Sequence, residues 1–569
     1  MINFTRKFIL KQYKVLILIG IFFLAIIVWY SPIVFKGYPT QTISSDLLLA
    51  RNYSLTNVLA TQNKFNVTIA SHLIKSEGVP LSMSEYLRSV FFARIFDVFG
   101  IPNYNQLTLI SIILYALILV IFTILVIYLF DFKIGIVFSL FYIFSPLGWG
   151  LSRMMGIYEF CLLFWALFFI FYFWGRKKEN NKYSNFLFVF SGICLALSSL
   201  SKEVTFVFAL AFFLFLLVKK LKRQLLLVFI PFIIILMIFW LPSVFKGENR
   251  YLSLFTSRAP EKSIFSDYLH VFPDPYTYYF EKELFLEQFK NQNLGWSENL
   301  QTKKDLINLG FEKLNLFERI KVGFFIFVQH FFRFFSLEEF GGPLMAILSI
   351  FGLIYLKSKN KFLYQFSINW LIVSFLIFSF VILVSRSHLM DFIWLIILLI
   401  VLGLFYIFDT FKKQLNPSGK KSIICGLIII GLVIYHLILV NHVVLGRLYD
   451  KDTVPRSLVY VEKIKDMEIK NNEVIAIPGD FPEQTETLNY LTDKSFVVFR
   501  ESTLEKLTKE NKLKEAFEFF GVKYILGYSE ELSNKIAKQK LSISIASNSL
   551  KLDTGSVSEN KNFFMNLFR

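Results

Sequence analysis

Cysteine is scarce in this chain: three residues in 569, Cys161, Cys194 and Cys425, each alone inside an apolar run. No CxxC pair and no Cys/His spacing joins them, which excludes a disulfide framework and a cysteine-ligated zinc site. Each reads as a small buried hydrophobe. Histidine is nearly as rare, and His72, His270, His330, His436 and His442 show no metal-ligand spacing either. Charged residues make up only 18% of the chain, against about 25% in soluble domains. With 26 Gly and 15 Pro, collagen-like and low-complexity classes are also excluded. Apolar residues fill the gap: 55% of the chain is hydrophobic, 69 residues are Phe, and the mean hydropathy is +0.55. Disorder is incompatible with that, and the apolar runs are too long for a soluble enzyme.

The formal net charge of +18 raises the question of nucleic acid. Its location answers it. From Asp450 to Arg569 there are 18 Lys/Arg and 19 Asp/Glu, so the excess belongs entirely to the apolar region, with 42 basic and 23 acidic residues. Anionic lipid headgroups and membrane topology account for such a distribution, and no nucleic-acid partner is called for.

A hydrocarbon core about 30 Å thick needs about 20 apolar helical residues. Eleven spans are expected, near 15–35, 106–130, 134–150, 157–174, 186–201, 203–219, 224–245, 342–356, 363–385, 388–408 and 421–440. The first follows Arg6, Lys7, Lys11 and Lys14, is too long for a signal peptide and lacks a small-residue cleavage site, so it reads as an uncleaved anchor. With the amino terminus cytoplasmic, the inside segments hold 20 basic residues against Asp131, Glu179 and Asp409. The run 317–335 is read as an amphipathic helix on the outer surface, because Arg319, Lys321, His330 and Arg333 interrupt it.

This map leaves residues 36–105, residues 246–341 and everything after about 441 on the non-cytoplasmic side of the plasma membrane. Two domains are expected, a membrane domain over residues 1–445 and a tail over residues 446–569. In the tail, Val474 to Ile477, Phe496 to Phe499 and Lys523 to Leu526 have strand length and alternate with helical patterns at Glu483 to Leu491, Thr503 to Phe519 and Glu530 to Lys538. Such alternation predicts a small α/β domain with a mainly parallel sheet. Pro478-Gly479-Asp480 after the first strand is turn chemistry, not a phosphate loop.

Ionisable residues beside a span are expensive unless they face a cavity or a partner. The expected outer ends hold many: Asp46 beyond the first span, Arg94 before the second, Arg153 and Glu159 at the fourth, Lys202 and Glu203 between the fifth and sixth, and Arg386, His388 and Asp391 before the tenth. A carboxylate can act as general base toward an acceptor hydroxyl, and Arg or Lys can hold a phosphate leaving group. The plain alternative is that the cations snorkel and that Glu159 or Asp391 simply begins a helix at its positive end.

These residues, in this order, resemble the GT-C glycosyltransferases. The resemblance rests on a single first span, then Ser45-Asp46-Leu-Leu-Leu-Ala-Arg-Asn-Tyr53, amphipathic helices ending Ala93-Arg94-Ile95, the hairpin Leu200-Ser201-Lys202-Glu203, and Ser385-Arg386-Ser387-His388 before a late span. Tyr490-Leu-Thr-Asp-Lys494 and Phe520-Gly-Val-Lys-Tyr-Ile-Leu526 are similar to the outer domain of many bacterial members. The branch is the one that includes protein O-mannosyltransferases and aminoarabinose transferases. It implies a polytopic α-helical membrane protein with about eleven transmembrane helices and a small extracytoplasmic α/β domain. It also implies inverting transfer of one sugar from a polyprenyl-phosphate donor to a lipid, glycan or protein acceptor on the outer face. Asp46 would be the base, with Arg94, Arg153, Glu159, Lys202, Glu203, Arg386 and His388 as substrate-binding candidates. Many members carry two adjacent acids where this chain has Asp46 followed by Leu47. No metal ligand is therefore assigned and a divalent metal is left open.

Two other classes fit the composition. A transporter or flippase of envelope lipids would carry ionisable or helix-breaking residues near mid-membrane, often in two matching halves. Here the candidates gather at one face. A non-catalytic envelope assembly protein would act through its tail without needing Asp46.

Overall fold

The computed structural model describes residues 2–36, 43, 45–56, 67–69, 72–74, 83–145, 148–149, 156, 158–178, 183–202, 205–245, 342–380, 392–414, 456–465, 469, 474–478, 482–492, 494–499 and 522–537. It also describes isolated positions at 324, 327, 427, 431, 434, 435 and 438, single residues within 504–517, and the pair 544–545. The expected surface helix at 317–335 and the eleventh span at 421–440 lie outside the described residues apart from those isolated positions.

Ten helices occupy ten of the expected spans: α1 (Ile2–Lys36), α4 (Tyr104–Leu129), α5 (Phe132–Phe144), α6 (Glu159–Lys177), α7 (Tyr183–Ser201), α8 (Thr205–Val218), α9 (Lys222–Phe245), α10 (Pro343–Lys359), α11 (Lys361–Phe380) and α12 (Ile393–Gln414). Between α1 and α4 lie α2 (Ser45–Thr56), the antiparallel hairpin β1 (Val67–Ile69) and β2 (His72–Ile74), and α3 (Met83–Phe99). Seven helices among the described residues are long and apolar enough to cross a membrane. Two others are shorter than expected. At about 1.5 Å per residue, α5 and α8 reach only about 20 Å. For α5 the reason is local. Ser145 precedes Pro146, which disfavours helical backbone before it, and the Ser145 hydroxyl accepts from the Gly148 amide at 2.8 Å. The start of α4 is fixed by a capping box, Asn103 and Gln106 each accepting the other's backbone N–H at 2.9 Å.

Lipid offers no hydrophobic force to draw helices together, so packing and close backbone approach must do so. The bundle core is aromatic: Trp165 of α6 meets Phe168, Phe169, Phe208 and Trp370, and Trp394 of α12 stacks on Phe122 of α4 with centroids 5.5 Å apart. Where α10 crosses α12 the contact is backbone to backbone. A Cβ on Gly352 would overlap the Leu399 carbonyl, and one on Gly403 the Leu348 carbonyl.

Charge is sorted between the two ends of the bundle. At one end Lys14 lies over Phe132, Lys177 over Tyr128 and Arg176 over Phe362, while Tyr355 donates to Asp409 at 2.8 Å. These are the ends expected to share one side of the membrane. At the other end sit α2, α3, the start of α6 and the turn between α7 and α8.

The tail holds α13 (Arg456–Lys465), β3 (Val474–Pro478), α14 (Pro482–Thr492), β4 (Ser495–Phe499), β5 (Val522–Ile525), α15 (Glu530–Ala537) and β6 (Ser544–Ile545). The sheet order is β4-β3-β5-β6 and every pair is parallel. Ile475, Ile477, Leu488, Phe496 and Leu526 form its core with Tyr460 and Ile464 of α13.

Candidate active site

The site is built where four bundle helices end beneath the segment that joins α1 to α4. Glu159 is the first residue of α6 and is 1% exposed. Tyr158, at the cap position, makes no side-chain cap bond, and Glu159 satisfies the turn instead. Its Oε1 accepts from the Gly156 amide at 2.8 Å and from the Ser111 hydroxyl of α4, and its Oε2 accepts from the Tyr158 amide at 3.2 Å. Gly156 has φ +81°, a left-handed conformation that glycine adopts at no steric cost. A carboxylate here also meets the positive end of the α6 dipole. Arg88 of α3, itself buried at 5% exposure, is the charged neighbour of this carboxyl.

The same turn supports Lys202. Its ammonium lies 5.0 Å from the centre of the Tyr158 ring, and its backbone links the end of α7 to the start of α8 by accepting from the Thr205 amide at 3.0 Å. Below it, the Ser198 hydroxyl donates to the Cys161 carbonyl at 2.9 Å, and Thr205 Oγ1 contacts Cys161 Sγ at 3.0 Å. Buried polar groups thus tie the ends of α4, α6, α7 and α8 at one level.

Over this floor α2 and α3 form a lid. Phe91 and Phe92 of α3 pack edge-on to Phe160 at 4.3 and 5.0 Å between centroids. The buried cluster Ile43, Leu47, Leu48, Phe92, Phe96, Tyr104, Leu107 and Phe160 joins the two helices to α4 and α6, and Tyr490 of α14 completes it. Asp46 occupies the second position of α2; its side chain lies outside the described residues. Arg94 is exposed on α3, donates to Asp97 at 2.8 Å and lies over Tyr53 at 5.8 Å. Ser54 of α2 donates to the other Asp97 oxygen at 2.6 Å. These bonds, Ser54 first and Arg94 next, hold the Asp97 carboxyl below its usual range.

Of the residues singled out by sequence, Lys202 lies over the ring of Tyr158, the residue before Glu159, and Asp46 belongs to the lid helix α2. Arg94 stands on the lid's exposed face. Arg153, Glu203, Arg386, His388 and Asp391 lie outside the described residues. The structure adds Arg88, Arg51, Ser111 and Tyr490, none of which the sequence reading assigns to the site, although Arg51 and Tyr490 lie within the motifs it quotes. A signal is present for two of them: Arg88 is in helical register with Phe92 and Phe96, and Arg51 with Leu47 and Leu48, which puts each cation on a buried face.

Residues 87–245 match the profile of the family described as dolichyl-phosphate-mannose-protein mannosyltransferase. No curated protein matches the chain. The Archaeoglobus fulgidus oligosaccharyltransferase, in its complex with Zn and sulfate, superposes with a TM-score of 0.51 at 13% identity, covering 89% of this chain and 67% of that one. The same enzyme tethered with an acceptor peptide containing the NVT sequon gives 0.50 at 12%, over 89% and 68%. At such identity the likeness is one of fold. ArnT from Cupriavidus metallidurans, bound to undecaprenyl phosphate, covers 93% of this chain and 89% of its own at 10% identity. Its TM-score of 0.46 is too loose to add to the assignment. The structural likeness gives the chain the GT-C fold, built on membrane-spanning helices, and within it residues 87–245 are similar to the mannosyltransferase family. The matched segment runs from the second turn of α3 to the end of α9, so it contains Arg88, Arg94, Ser111, Glu159 and Lys202.

Proposed function

We propose that the chain transfers one sugar from a polyprenyl-phosphate donor to an acceptor on the non-cytoplasmic face of the plasma membrane, with Asp46 as the general base. The observation that carries this reading is the packing of α2. Asp46 is the second residue of this helix, which shares one apolar cluster with the start of α6, where Lys202 lies over Tyr158. The acceptor hydroxyl attacks the anomeric carbon, the bond to the phosphate oxygen breaks, and the polyprenyl phosphate leaves with the negative charge. Attack opposite the leaving group inverts the anomeric centre. Asp46 takes the hydroxyl proton as that bond forms, so its contribution falls mainly in the transition state. Lys202, Arg153, Arg386 and His388 are the groups assigned to the phosphate, with Arg94 available once it releases Asp97. Glu203 is assigned to the acceptor side. Glu159 is bound to its own turn and acts on substrate through the Tyr158–Lys202 stack. Among the described residues no three His, Cys, Asp or Glu side chains gather as metal ligands.

The orientation proposed follows the positive-inside count: the amino terminus lies in the cytoplasm, residues 1–445 form the membrane domain, and residues 446–569 form a separate α/β domain outside. The test is release of free polyprenyl phosphate from a panel of polyprenyl-phosphate sugars by the purified protein. Asp46→Asn keeps the size of the side chain and removes its charge, so turnover should fall by about 10²- to 10⁴-fold with donor affinity retained. Full turnover in that variant would exclude Asp46 as the base.

A further inference from the structure

The tail reaches back to the first outer loop at three points. The backbone N–H of Ile43, two residues before α2, donates to Thr487 Oγ1 of α14 at 2.8 Å, in a buried position. The Tyr490 hydroxyl, one turn further along α14, donates at 2.9 Å to the carbonyl of Pro102, just before α4. The ring of the same Tyr490 lies 5.7 Å from the guanidinium of Arg51, on α2. Thr487 is 0% and Tyr490 6% exposed, so water does not compete for these bonds. Leu458 of α13 and Leu491 of α14 pack against the same cluster.

We infer that α14 is a clamp that positions the catalytic loop, with Thr487 and Tyr490 as its positioning residues. Thr487 holds the entry to α2, Tyr490 holds Arg51 one turn beyond Asp46, and the Tyr490 hydroxyl fixes the exit of the loop where α4 begins. A short helix held at its entry and at mid-length this way resists sliding or rolling relative to α3, and the residue at its start keeps one placement relative to the Glu159 turn. A catalytic group must be held to within about half an ångström, and a helix 444 residues distant in sequence supplies that hold. The inference rests on the assignment of Asp46 to catalysis; the clamp itself rests on the contacts alone.

The test uses the full chain in detergent or nanodiscs and reads two quantities. Hydrogen exchange of the Ile43–Thr56 segment reports the clamp without reference to activity, and steady-state transfer reports its use. Thr487→Val removes the hydroxyl at constant volume, Tyr490→Phe removes the hydroxyl and keeps the ring under Arg51, and Tyr490→Leu removes both. Exchange in the segment should rise about tenfold or more in Thr487→Val and Tyr490→Leu and less in Tyr490→Phe, with β3 and β5 still protected. Thr487→Ser should restore protection. Turnover should fall about 5- to 20-fold with the donor KM within about twofold. Unchanged exchange in the segment, or equal loss of protection in β3 and β5, would overturn the clamp whatever the activity. Loosened exchange with full turnover would uphold the clamp and overturn the role of Asp46.

Discussion

Replacing Glu159 by alanine takes away the acceptor for three buried donors, and the structure allows the consequence to be sized. The Ser111 hydroxyl can rotate back to the carbonyl one helical turn earlier, the usual refuge of a helical serine. The amides of Gly156 and Tyr158 belong to the turn and lose the acceptor that Glu159 supplied. Two buried donors at about 1–3 kcal/mol each give about 2–6 kcal/mol of destabilisation. Glutamine behaves differently. Its carbonyl oxygen can keep the Ser111 and Gly156 bonds, but its NH₂ then opposes the Tyr158 amide, so one bond is lost, about 1–3 kcal/mol. Turning the amide over only exchanges which bond is sacrificed. Thermal unfolding of the purified protein in detergent should therefore rank wild type above Glu159→Gln above Glu159→Ala. Transfer should follow the same order, because the turn carries Tyr158 and Tyr158 carries Lys202. An alanine variant that melts with wild type, or a glutamine variant as damaged as alanine, would refute the account of Glu159 as the holder of this turn.

Three further expectations follow from other regions of the molecule. Gly352→Ala and Gly403→Ala should each destabilise the bundle by about 1–3 kcal/mol through overlap with the carbonyls of Leu399 and Leu348, while Gly20→Ala, which meets nothing within 4 Å, should be silent in the same melting assay. Asp97 has a folded-state pKa below its ordinary value of 3.8, so its bonds to Ser54 and Arg94 stabilise the α2–α3 lid above that value and are lost as pH falls through the lowered one. The melting difference between wild type and Asp97→Asn should accordingly be full at neutral pH and vanish in strong acid; a difference that grows on acidification would reverse the sign. For topology, single cysteines at Ser529 and Ser418 in a background without native cysteine should be labelled from outside the cell at the first position and spared at the second, and the opposite pattern would place the site on the wrong side.

The helices of the bundle are legible in the sequence because a span writes itself as about twenty apolar residues whatever it packs against. The short α5 is overestimated because apolar character continues past the point where Pro146 ends the helix. In the tail, strands are legible from Val-Ile-Ala-Ile, Phe-Val-Val-Phe and Lys-Tyr-Ile-Leu, apolar runs between turns, the last falling one residue beyond the strand that forms at Val522–Ile525. The positions of Glu159 and Lys202 are legible for the same reason as the spans: each marks a helix end. What they bind is not. Ser111 and Glu159 are 48 residues apart, and Tyr490 and Pro102 are 388 apart. Periodicity is a local signal and carries nothing about which distant ends share a level in the bundle.

The two kinds of adhesion in this molecule are divided by depth, and the division explains where its chemistry can be. Within the bundle the helices hold by aromatic contact, glycine crossings and a few neutral buried hydrogen bonds, such as Thr123 with Ser139 and Tyr172 with Gln224, none of which brings in a charge. At the lid end ionisable groups, Glu159, Arg88 and Lys202, are added to the aromatic contacts, because there the helix termini expose donors and acceptors that lipid cannot satisfy. Satisfying them required bringing ionisable groups out of bulk water and under the cover of α2 and α3. In such surroundings a fixed charge acts more strongly on a nearby developing charge than it would in solvent. The cover that makes the site effective is itself anchored from outside the bundle, by Thr487 and Tyr490. Stability of the membrane helices and competence of the site should therefore be separable: substitutions at Gly352 act on the first, and substitutions at Thr487 act on the second.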